Sequence, residues 1–271
     1  MKIDNVEIIT CQAGWRSWDF LRVSTDTGIV GFSDITDSNG AAPAVVAAVK
    51  MFGESILGRD PRQYEQVYSD LYRSSRQSAG GVVHKALAGI DNCLLDITAQ
   101  SFDVPVYALL NGPSRDTVDL YWSHCATTRV RHAAEVGQTR PTALADFESI
   151  GKEVSDSGYR AAKTNLIMLG DPPTVISQGF RGPPGSSDRL LGRLVPASVL
   201  SVIEALKAGM APDGALMLDI NMHLRTEGVV RLAHELADVG LHWLEVDLGD
   251  PDSLRYVRER ATMPIASGEG L

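Results

Sequence analysis

The chain has 271 residues, with 25 Lys and Arg against 34 Asp and Glu, a net charge of −9, and 44% hydrophobic residues. That apolar content is enough to build a core and excludes a disordered chain, while the acidic balance argues against a nucleic-acid partner, which needs a basic face. No apolar run approaches the ~18 residues of a membrane span, the N-terminus MKIDNVEIITC has no apolar signal segment, and three scattered cysteines (Cys11, Cys93, Cys125) read as reduced, buried thiols of a cytoplasmic protein with no membrane partner.

In chain order, residues 2–10 and 18–24 alternate apolar and polar and predict two half-buried strands. Asp26-Thr27-Gly28 is a turn signal, and Ile29-Val30-Gly31-Phe32 reads as the return strand of an antiparallel meander. Ala41–Leu57, with Pro43 in its first turn, and residues 62–75 and 82–100 predict helices. In the last of these, Val83, Leu87, Ile90, Leu94 and Ile97 line one face. Asn111-Gly112-Pro113 then punctuates the chain, which predicts an α+β domain over 1–112 and a second domain over 113–271.

The second part has a different rhythm. Apolar runs at Val118–Trp122, Ala161–Leu169, Ala215–Ile220, His242–Val246 and Pro264–Ala266 predict five strands. Helical stretches at 227–239 and 252–261 separate the later ones, so the sheet is expected to be parallel with crossover helices. The Gly- and Pro-rich segment 171–196 is too long for an ordinary βα loop and reads as an insertion at a barrel mouth.

Three acids stand at the ends of these runs. Asp219 closes LMLDI, Glu245 lies near the end of HWLEV, and Glu269 follows PIASG, at intervals of 26 and 24 residues. Each interval is one βα repeat, and neighbouring strand ends of a (β/α)₈ barrel lie side by side on its active face. Three converged carboxylates repel one another unless a cation joins them. Oxygen donors with room for water suit Mg²⁺. Taken singly, each acid reads equally as a helix cap or a solvated loop charge. Lys163 lies inside an apolar strand. Beside a divalent cation its pKa would fall and make it a general base; on an edge strand it would merely snorkel to water. Asn165 shares its side by the period of two, and Asn221, two residues past Asp219, is a second amide placed to reach a ligand.

Gly158-Tyr159-Arg160-Ala161-Ala162-Lys163-Thr164-Asn165, Leu218-Asp219-Ile220-Asn221, Trp243-Leu244-Glu245 and Pro264-Ile265-Ala266-Ser267-Gly268-Glu269, together with Gly89-Ile90-Asp91, Leu95-Asp96-Ile97, Val104-Pro105-Val106-Tyr107 and Leu110-Asn111-Gly112, resemble the mandelate racemase/muconate lactonizing group of the enolase superfamily. The resemblance runs nearly the whole length. It implies an α/β fold, a modified TIM barrel preceded by an α+β capping domain, and removal of the proton α to a carboxylate with Mg²⁺ holding the enediolate. It implies Asp219, Glu245 and Glu269 as metal ligands and Lys163 as the catalytic base or its electrostatic helper. His124 reads as a substrate contact or as packing, and His223 as a loop or outer group. Trp15 and Arg16 fall where the family's cap loop reaches the substrate. A homo-oligomer is also implied.

The Lys-x-Asn of strand two is similar to that of sugar-acid dehydratases of the galactonate kind, where racemase-like members carry Lys-x-Lys. Glu245 is followed by Val246-Asp247 instead of the Glu-Pro of many relatives. The stretch from Thr117 to Leu271 is about 155 residues, against roughly 250 for a full barrel. Five of eight strands and a C-terminal truncation, lacking the family's His-Asp pair, are therefore expected. The expected activity is Mg²⁺-dependent dehydration of an acid sugar. A racemase or cycloisomerase on the same scaffold is the alternative, and an inactive metal-binding fragment is the alternative outside the enzymes.

Overall fold

The computed structural model describes residues 1–14, 16–37, 41–78, 80–176, 197–221 and 224–269. The chain divides into two units, Met1–Thr117 and Val118–Leu271.

The first unit opens with an antiparallel sheet in the order β1 (Ile3–Gln12), β2 (Ser17–Thr25), β3 (Val30–Asp34). Gly28, at φ 85°, makes the β2–β3 turn, where a side chain would be strained. Alternation puts Leu21 and Val23 of β2 fully inside. They meet α1 (Ala42–Ile56), α2 (Tyr64–Ser75) and α3 (Gly81–Ser101), whose Leu87, Ile90, Leu94 and Ile97 form the expected buried face. A short helix, α4 (Val106–Leu109), follows. Cys93 is buried here and Cys125 in the second unit, and burial pushes both thiols up to about 12. Cys11 departs from expectation: it lies exposed on β1.

The second unit begins with α5 (Cys125–His132) and α6 (Leu144–Asp156), which lead into β4 (Ala161–Asn165). The apolar run after Ala161 does not continue as one strand. It breaks after Asn165, and β5 (Ile167–Met168) pairs antiparallel with β6 (Thr174–Val175). Then follow α7 (Ala197–Gly209), β7 (Ala215–Asp219), α8 (Thr226–Glu235), β8 (Trp243–Glu245), α9 (Pro251–Arg260) and β9 (Ile265–Ala266). Among the described residues the sheet is parallel in the order β4-β7-β8-β9.

The expected strand at 118–122 is a correction. Only Trp122 bridges to Ala162, through Trp122 N–H to Ala161 O and Lys163 N–H to Trp122 O, both 2.9 Å. Val118 and Leu120 are exposed, so no second face is buried to hold a longer ladder there. The parallel arc therefore has four strands and one bridging residue among the described residues, a partial TIM-type barrel.

Side chains alternate across this sheet. Ala162, Leu216, Leu218, Leu244 and Val246 join one core with Phe147 and Val154 of α6, Val202 and Leu206 of α7, and Leu232 of α8. Burying such side chains is worth about 1.5–3 kcal/mol each. The opposite face carries Lys163, Asn165, Asp219 and Glu245, which the parallel register brings level: Asn165 beside Asp219, and Asp219 beside Glu245.

Candidate metal centre and active site

Strands supply the site because a strand end fixes a side chain to within its rotamer, and the register above lines up three strand ends. Lys163 is buried, and its Nζ donates to Glu245 Oε2 at 2.6 Å and lies 3.3 Å from Asp219 Oδ2. Burial alone would lower the lysine's pKa. The hydrogen bond to Glu245 and the charges of Asp219 and Glu245 outweigh it and hold Lys163 above its ordinary value. The chain's own charges thus act opposite to the depression expected beside a divalent cation, which would be a separate, positive field.

Asp219 is held from several sides. Its Oδ1 accepts the Asn221 backbone N–H at 2.8 Å, and its backbone carbonyl accepts from Asn165 Nδ2 at 3.0 Å. Asn221 sits at φ 50°, a left-handed conformation that Asn tolerates better than most residues. Asn165 is buried, its Oδ1 accepts from the Thr127 hydroxyl at 2.9 Å, and its backbone N–H donates to the same hydroxyl at 3.0 Å. Asn165 therefore spends its side-chain amide within the protein, whereas Asn221 meets Asp219 through its backbone N–H alone.

His124, also left-handed at φ 57°, brings Nε2 to 4.0 Å from Asp219 Oδ2, with Nδ1 3.0 Å from the Ser123 hydroxyl. Burial lowers its pKa; Asp219 opposes this, and Lys163 adds to it. Tyr121 packs edge-on against Trp243 at 5.8 Å and lies 5.9 Å from Lys163 Nζ, an aromatic wall beside the ammonium.

Among the described residues, three acids of this strand-end cluster lie close together. Asp219, Glu245 and Asp247 each offer an oxygen within 4.8 Å of the others. Glu269 is exposed and lies outside that group. It follows a two-residue strand by three positions, so the ladder does not fix it as it fixes Glu245. Asp247 escapes the sequence reading as a ligand candidate. The signal that could have found it is the period of two: Val246 N–H continues the ladder to Ala266 O at 2.9 Å, so Asp247 repeats the facing of Glu245. Burial, then the charges of Glu269, Asp219 and Glu245, push the Asp247 carboxyl up to about 6, against the pull of Lys163. Its Oδ1 is buried with no hydrogen-bond partner among the described residues. A hard, oxygen-seeking cation fits that orphaned oxygen and this all-carboxylate donor set.

Arg16 lies in the β1–β2 turn of the first unit, with its guanidinium 3.7 Å from the Trp18 ring centroid. Trp15 and His223, and most of the 171–196 segment, lie outside the described residues. No helix among the described residues is long and apolar enough to cross a membrane.

Comparison with known proteins matches residues 7–111 to the mandelate racemase/muconate lactonizing enzyme N-terminal domain and residues 148–271 to the enolase C-terminal domain-like family. A curated relative, the D-galactonate dehydratase family member RspA of Cellvibrio japonicus, is 29% identical over 98% of the chain, which spans 64% of that relative's length. A solved structure described as a candidate L-alanine-DL-glutamate epimerase from Burkholderia xenovorans strain LB400 superposes with a TM-score of 0.93 at 34% identity, covering 100% of this chain and 68% of that one. A second structure of it, bound to magnesium and fumarate, gives 0.92 at 35% identity, covering 100% and 67%.

Proposed function

The chain belongs to the mandelate racemase/muconate lactonizing group of the enolase superfamily, and from that premise we propose that it serves the Mg²⁺-dependent dehydration of an acid sugar. The observation that carries this reading is Lys163 of β4 in contact with Asp219 and Glu245, which end the next two strands of the sheet, β7 and β8. The dehydratase name of the Cellvibrio japonicus relative supports the reaction class, and the magnesium and fumarate of the Burkholderia xenovorans relative support a divalent cation beside a carboxylate ligand.

Asp219, Glu245 and Glu269 would hold the cation, which supplies Lewis-acid polarisation of the substrate carboxylate when bound. Lys163 takes the α-proton at Nζ. To do so it must first be neutral, and the two carboxylates that hold its proton release it only when they are engaged elsewhere. His124, which burial keeps below its ordinary pKa, offers Nε2 to a substrate hydroxyl. Tyr121 and Trp243 limit water beside Nζ. The β C–O bond then breaks as the C–C double bond forms, and the hydroxide leaves as water with the proton that Nζ had taken, which returns Lys163 to its neutral state. A homo-oligomer and a small carboxylate substrate belong to the same proposal.

The test is a screen of sugar acids with the full-length protein and Mg²⁺, following 2-keto acid formation. Dehydration of at least one acid sugar is expected. An epimerase is the second reading, favoured by the Burkholderia xenovorans relative. Exchange of the α-proton in D₂O with inversion and no loss of water, across the whole screen, would establish that reading and overturn dehydration.

A further inference from the structure

We propose that Asp247 supplies a carboxylate oxygen to the divalent cation at this strand end, a ligand beyond Asp219, Glu245 and Glu269. The inference rests on the metal reading above and deepens it.

Three independent features of Asp247 point the same way. The ladder bond from Val246 N–H to Ala266 O carries the strand one residue past Glu245. Leu244 and Val246 enter the core, so Glu245 and Asp247 face the other side together. Asp247 is only 8% exposed, yet its Oδ1 has no hydrogen-bond partner among the described residues. Finally, it offers an oxygen within 4.8 Å of those of Asp219 and Glu245.

A buried carboxylate oxygen facing two other carboxylates is unfavourable unless a positive charge shares it. Lys163 already directs its ammonium at Glu245 and Asp219. A hard divalent cation would be shared by all three acids, and each carboxylate it takes displaces a water from its octahedral shell.

Mn²⁺ serves as the probe, since its electron spin resonance reports both free ion and coordinated water. Full-length protein, Asp247→Asn and Glu245→Gln are titrated with Mn²⁺, and bound water is counted by line broadening in ¹⁷O-water. Asp247→Asn is expected to weaken Mn²⁺ binding by roughly tenfold or more and to add one coordinated water, which loss of a merely nearby charge would not do. An unaltered water count, or a change under about threefold, overturns the proposal while Glu245→Gln still abolishes binding. No Mn²⁺ binding by the unaltered protein overturns the metal reading and the proposal with it. Should Asp247→Asn fail to fold, Asp247→Ser gives the same two readings.

Discussion

The Lys163 ammonium donates a 2.6 Å hydrogen bond to the Glu245 carboxylate across 82 residues of sequence. Both side chains are largely buried, at 8% and 17% exposure, and Asp219 lies against the same ammonium. Removing one partner of a buried pair leaves the other charge uncompensated, a cost of about 3–5 kcal/mol. Lys163→Met is therefore expected to destabilise the protein by about 3 kcal/mol in urea unfolding with chelator present. Added Mg²⁺ should recover part of that loss by supplying the missing positive charge. A variant as stable as the parent without divalent cation would show that the acids do not depend on Lys163.

Asn165 spends its amide on the Asp219 backbone carbonyl and the Thr127 hydroxyl. Asn165→Leu keeps the volume but leaves that buried carbonyl without its donor. The expected cost is about 1–3 kcal/mol, read as a lower urea midpoint at unchanged slope. Unchanged stability would mean that the amide's bonds are not needed to hold Asp219.

Helices α6 and α7 approach closely at two glycines. A Cβ on Gly151 would collide with the Leu206 carbonyl oxygen, and one on Gly209 with that of Glu148. Alanine in a helix is favoured over glycine by about 1 kcal/mol, but overpacking costs about 1–3 kcal/mol. Because the collision is with backbone, which cannot swing aside, Gly151→Ala should lower the melting temperature. A rise would mean that the helices separate freely and that propensity decides.

Asp60 accepts from the Arg62 guanidinium at 2.6 Å, and that hydrogen bond holds its carboxyl down at about 2. A carboxylate whose folded pKa lies below its unfolded one stabilises the fold above the unfolded value, and the gain fades as pH falls through the folded one. Asp60→Asn should cost about 0.5–1 kcal/mol at pH 7, the small size reflecting solvent screening. The difference should shrink between pH 4 and pH 2 in a series of thermal melts. Because the amide oxygen of Asn retains the cap at Arg62 N–H, a pH-independent difference would show that the Asp60 charge does not carry the effect.

The strongly periodic elements are legible in the sequence. The meander of β1 to β3 follows from local alternation, the buried stripe of α3 from a helical period, and the strands at Asp219 and Glu245 from short continuous apolar runs. The elements that escape are short or set by distant contacts. The apolar run after Ala161 gives no sign of breaking at Asn165, since the β5–β6 pairing depends on residues beyond the strand. Val118–Trp122 looks like a strand, yet only Trp122 finds a partner.

By itself, the sequence determined the meander and helices of the first unit, the parallel alternation of the second, and the strands that carry Lys163, Asp219 and Glu245. Side-chain period and repeat spacing are local properties and can be read without coordinates. The tertiary structure decided which groups meet. It set Lys163 between two acids, turned the Asn165 amide to the Asp219 backbone carbonyl and the Asn221 backbone N–H to the Asp219 carboxylate, and brought Asp247 into the carboxylate group while Glu269 stayed exposed outside it. Those outcomes depend on the register between strands far apart in the chain and on where each ladder ends, and neither is encoded in local periodicity.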